Sequence, residues 1–181
     1  MITEFPSGLI LVAAGLAAPL VPRALRGWLL LAAPALAFVQ LLALPVGTRV
    51  EMELFGFALQ LVRADRLSLA FGYVFAIAAF LNVVFSWHVR EGVEQPAAMV
   101  YAGSALAAVF AGDLLTLFVF WELSAVASAL VIWARGTRRA FGAGMRYMVV
   151  QLASGMLLAA GAALRWAESG SLAFEFVGLG T

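Results

Sequence analysis

The chain has 181 residues, 65% of them hydrophobic and 12% charged, with a formal net charge of +1 and a mean hydropathy of +1.03. Soluble domains are about 45–50% apolar and about 25% charged, so this composition is that of an integral membrane protein. The near-neutral balance offers no basic surface for nucleic acid, and the lack of cysteine excludes disulfides, thiolate metal sites and thiol catalysis together. All 11 basic residues are arginine, which holds its proton almost anywhere, whereas a buried lysine can lose one.

The N-terminus, MITEFPSGLILVAAG, carries an acid and no basic region, unlike a cleaved signal peptide. A spanning helix needs about 20 mostly apolar residues. The first two such segments are expected at 5–21 and 27–46. Pro34 interrupts the second, and proline is tolerated within a span where neighbours satisfy the freed carbonyl. The stretch TRVEMELFGFALQLVRADR then alternates polar and apolar residues around Gly56, which predicts a β-hairpin over 49–63 outside the membrane. Further helices are expected at 67–87, 97–111, 114–133 and 141–166, the last starting somewhere between Arg139 and Gly144. The tail AESGSLAFEFVGLGT has no span and reads as the first part of a loop. The expected fold is an all-α integral membrane protein: about six transmembrane helices, with a short extramembrane β-hairpin between the second and third, in one domain over 1–181.

Loop arginines give an orientation. With the N-terminus outside, the inner loops hold Arg23, Arg26, Arg90, Arg135, Arg138 and Arg139, and the outer side Arg49, Arg63, Arg66 and Arg165. An inner excess of basic residues is the usual bias.

The fifth helix, LLTLFVFWELSAVASALVIW, carries Glu122 near its middle. An ionised carboxylate at the bilayer centre costs at least about 2.5–3.5 kcal/mol, and such groups mark ion pathways or proton relays facing protein or water. Burial favours the neutral acid and a nearby cation the charged one, so a carboxyl balanced between them can load and release a proton. The plainer reading is a neutral acid that hydrogen-bonds two helices together. Arg146 is the natural partner: Glu122 lies roughly 18 Å from the inner end of its helix and Arg146 roughly 10 Å in, at 1.5 Å per residue. Alternatively, Arg146 snorkels to the headgroups. Asp65 and Asp113 precede helices and read as N-caps. His88, the one histidine, is a proton shuttle or, more simply, an interfacial anchor. Ser124, Ser128, Gln151 and Ser154 are polar groups within spans, suited to gluing helices together or to ordering water beside Glu122. No residue set has metal-ligand spacing, and no cofactor is expected.

Three stretches, ADRLSLAFGYVFAIAAFLNVVFS, YAGSALAAVFAGDLLTLFVFWELSAVASALVI and GAGMRYMVVQLASGMLLAAGAAL, together resemble one family. It is the antiporter-like membrane subunits shared by respiratory complex I and the multisubunit Mrp cation/proton antiporters. The resemblance covers most of the chain. It implies that Glu122 matches the fifth-helix glutamate central to the family's proton path. It also implies that Arg146 stands where the sixth helix usually has lysine, a change that suits proton relay poorly. Family members usually have about fourteen helices, so the resemblance implies that channel lysines beyond the sixth helix come from another chain or a missing C-terminal half.

The resulting expectation is a membrane subunit of a proton- or cation-translocating complex, Mrp-type or like NADH-quinone oxidoreductase, not catalytic alone. Its partners would be other membrane subunits, the lipid bilayer, and protons with sodium as a further ion. It would sit in the bacterial inner membrane. The alternative is a non-conducting subunit that scaffolds conducting neighbours.

Overall fold

A computed structural model describes residues 5–54, 56–88 and 92–174; Arg90 and the end of the tail lie outside these. Among the described residues, six α-helices and one antiparallel hairpin follow the expected order. Their ends are set by local chemistry. The first helix, α1 (Ser7–Ala17), is shorter than 5–21, because the chain tightens into a 3₁₀ turn over Ala18–Leu20 around Pro19. The second helix, α2 (Arg23–Ala43), begins four residues before the expected position, directly after Pro22. It stops at Ala43 because Leu44 is extended (φ −81°, ψ 115°) ahead of Pro45, and a residue before proline is pushed out of the helical region. Pro34 is buried inside α2 without ending it.

The hairpin pairs β1 (Arg49–Leu54) with β2 (Phe57–Arg63), with a bulge after Val50. Gly56 turns it at φ +80°, a conformation that costs glycine little. Then come α3 (Arg66–Phe85), α4 (Glu94–Phe110), α5 (Leu114–Trp133) and α6 (Arg138–Ser169). The sixth helix starts earlier than expected because Thr137 caps it, accepting from the Ala140 N–H at 3.1 Å. It ends at Gly170, which is left-handed at φ 65°.

Among the described residues, four helices, α2, α3, α5 and α6, are long and apolar enough to cross a membrane. The segment Ser7–Leu20 is shorter, and α4 has 17 residues. The chain is therefore a multi-pass membrane protein. Helices α1 to α4 form a ring around a core that includes Leu11, Leu30, Ala37, Leu41, Leu106 and Phe110. The closest approach is α1 on α4. A Cβ on Gly103 would lie 2.7 Å from both the Gly8 carbonyl and the Val12 nitrogen, so the backbones touch where side chains are absent. Helix α5 packs on α4, and α6 on α5. This leaves α6 the most open of the four long helices.

Candidate functional site

The N-termini of α3 and α5 lie on the hairpin side, and both are capped by aspartate. Asp65 accepts from the Ser68 N–H at 2.7 Å, while its own N–H donates to the Ser68 hydroxyl at 2.8 Å, a reciprocal capping box. The Ser68 N–H holds the Asp65 carboxyl below its ordinary value against an opposing effect of burial; the Ser68 hydroxyl, the Leu67 N–H and the Arg63 charge lower it further. Asp113 is fully buried. It accepts from the Thr116 N–H at 2.7 Å and the Thr116 hydroxyl at 2.6 Å, and also from the Gln60 N–H of β2 at 2.6 Å. The cap of α5 thus also fastens the hairpin. The tail joins the same knot: the Leu114 N–H donates to Leu172 and the Phe174 N–H to Gly112, while Arg63 donates to the Phe174 carbonyl at 2.7 Å.

From that anchored end, α5 descends two turns to Glu122. The side chain is half-buried and points into the seam with α6. Its Oε1 is buried and receives no hydrogen bond from the described residues. The facing residue is Gly155: a Cβ built there would overlap Oε1 and lie 2.6 Å from the carboxyl carbon.

Arg146 is not brought to Glu122, and no ion pair joins them among the described residues. Arg146 sits nine residues before Gly155, roughly 13.5 Å along the helix. It is exposed, with Nη1 turned back toward Gly142. Side chains on a helix lean toward its N-terminus, which carries this guanidinium away from the level of the acid.

Other polar groups gather on an adjoining face. Ser124 donates to the Trp121 carbonyl at 2.7 Å and Ser128 to the Ala125 carbonyl at 2.8 Å. The Tyr147 hydroxyl lies 2.8 Å from that of Ser128; with the serine proton committed to the carbonyl, the tyrosine is the donor. Ser124, Tyr147 and Gln151 line a cavity of about 490 Å³, together with Phe75, Tyr101 and Trp121. Glu122 is not on its wall. Ser154 is exposed beside Gly155, and His88 is exposed in the turn after α3, at the opposite end from the hairpin. The described residues hold no cluster of three or more possible metal ligands. Two contributors were not singled out from sequence, Gly155 and Tyr147. Tyr147 stands one turn before Gln151, a spacing that signals a shared face; Gly155 gave no comparable signal.

A multi-pass helical membrane protein with a half-buried carboxylate midway along α5 is the class that this fold and site define. Residues 111–180 match the family model described as "NADH:quinone oxidoreductase/Mrp antiporter, TM". The chain is 32% identical over 122 residues to NAD(P)H-quinone oxidoreductase subunit 2 of Synechococcus sp. (strain WH7803), a match covering 63% of this chain and 23% of that protein. Two solved structures share the fold. One is the membrane-bound sulfane sulfur reductase, an archaeal respiratory membrane complex, at TM-score 0.82 and 22% identity over 94% of this chain and 29% of that one. The other is the Mrp complex from Dietzia sp. DQ12-45-1b, at TM-score 0.74 and 23% identity over 92% of this chain and 20% of that one. The chain is thus similar, over these stretches, to the antiporter-like membrane subunits of complex I and Mrp antiporters. It spans under a third of the length of these relatives.

Proposed function

We propose that the chain is a membrane subunit of a proton- or cation-translocating complex and that Glu122 carries a transferable proton within it. The observation behind this reading is the carboxyl itself: it lies mid-span in α5, turned into the α5–α6 seam, with one oxygen buried and unbonded. A group so expensive to hold in a bilayer is commonly part of an ion path. Other membrane subunits would complete that path and supply lysine, a residue type this sequence lacks, and sodium is a second candidate ion. Arg146, Ser124, Ser128, Gln151, Ser154 and His88 would contribute charge bias or ordered water along it. The bacterial inner membrane is the proposed location, with the N-terminus outside. Arg23, Arg26, Arg135, Arg138 and Arg139 support that orientation, since all lie at the end opposite the hairpin.

The test is Glu122→Gln in the assembled complex, with proton movement followed in membrane vesicles by a pH-sensitive dye. Loss of coupled translocation is expected. Undiminished translocation removes Glu122 from the path. A second reading, a non-conducting scaffold, is favoured by one observation: Glu122 faces a packed seam rather than the neighbouring cavity. On that reading the Gln variant changes assembly or stability and leaves translocation untouched.

A further inference from the structure

We infer that Gly155 is a positioning residue for the Glu122 carboxyl: its missing side chain opens a notch in α6 that holds the acid at one depth in the seam. This rests on the reading of Glu122 as a proton carrier. All three of the nearest atoms to a Cβ at Gly155 belong to Glu122: Oε1, the carboxyl carbon at 2.6 Å and Oε2 at 3.4 Å. The notch is therefore filled by the carboxyl. Gly161 on the same helix meets nothing within 4 Å, and the nearest atom to a Cβ at Gly142 is Arg146 Nη1 at 3.8 Å, so glycine in α6 does not by itself mark close packing. Ser154 and Met156, on either side, are exposed; position 155 is the one that points inward. Glycine inside a helix costs about 1 kcal/mol relative to alanine, and room for the carboxyl is the structural return. The atoms that a methyl group would displace are the end of a flexible side chain. Gly155→Ala is thus accommodated by rotation of Glu122 out of the notch, with α5 and α6 still packed. The substitution moves the acid without altering its chemistry.

The experiment uses the full chain in its assembled complex in native membranes, with Gly155→Ala, Glu122→Asp and the double variant. Attachment of dicyclohexylcarbodiimide to Glu122, quantified by peptide mass spectrometry at fixed pH, reads access to the carboxyl without reference to transport. Labelling is expected to rise severalfold in Gly155→Ala as the carboxyl leaves the seam. Translocation should fall roughly ten- to hundredfold in each single variant, the scale of an ångström misplacement. In the double variant it should recover above both, because the shorter acid leaves room for the methyl group. Wild-type labelling in Gly155→Ala, or a double variant no better than either single, overturns the proposal. If Glu122→Gln translocates normally, the proton-carrier reading fails, and the labelling result alone then decides whether the notch seats the acid.

Discussion

Replacing Asp113 with alanine should detach the hairpin from the membrane helices as well as uncap α5. An ordinary aspartate cap is worth about 1 kcal/mol. Asp113 does more, because its carboxylate also accepts from Gln60 in β2 and from the Thr116 hydroxyl, at 2.6 Å each, in a fully buried position. Hydrogen bonds to a charged group contribute about 1.5–3 kcal/mol each, and a donor left buried without a partner costs about 1–3 kcal/mol. These effects overlap, so the expected loss is about 3–5 kcal/mol. For a chain of this size each kcal/mol shifts the melting temperature by about 2–4 °C, which gives a drop of about 10 °C. Thermal unfolding of the purified chain in detergent, followed by circular dichroism, measures it. The control is Asp65→Ala, which removes a half-exposed cap whose contact with the hairpin is a loose, solvent-exposed ion pair to Arg63 at 3.9 Å rather than a buried hydrogen bond. If Asp113→Ala lowers the melting temperature no further than Asp65→Ala, the second fastening has no energetic weight and the reasoning fails.

Acidification should act on Asp65 before it acts on the apolar packing. The folded protein holds this carboxyl below its reference value of 3.8, so its contribution is complete above that value and is lost as pH falls through the lower folded value. Protection of the amides in the first turn of α3, taken relative to the intrinsic exchange rate at each pH, should fall across that window in wild type and stay level in Asp65→Ala. Gly103→Val should disrupt the α1–α4 crossing, where a Cβ already meets backbone at 2.7 Å; overpacking of this kind costs about 1–3 kcal/mol or more. Cross-linking of cysteines placed on α1 and α4 should then drop, with an unchanged yield counting against the close-packed crossing.

The apolar runs made the class legible. Six helical segments and the alternating VEMEL stretch carry their own periods of hydrophobicity, which fixes element type and order. Helix ends were less legible, because Pro22, Pro45 and Thr137 act within single residues while apolar content falls off gradually. The candidate site was half legible. Glu122 stands out against its surroundings, whereas the proposed partnership with Arg146 depended on the depth of each residue in its own helix. The side chain of Arg146 points back along α6, away from the acid.

What the sequence determined alone is therefore the set of elements and the one costly acid, since both follow from local composition: lipid tolerates apolar helices and penalises a carboxylate wherever it sits. What only the tertiary structure decided is what each polar group faces. Asp113 looked like a cap and is also the bolt between hairpin and helix. Gly155, which nothing local marks, is the surface against which Glu122 rests. Such pairings join residues 33 or more positions apart, and they are set by how α5 rotates against α6 and how the hairpin folds over its end. No local pattern encodes those angles; they follow from packing all six helices together.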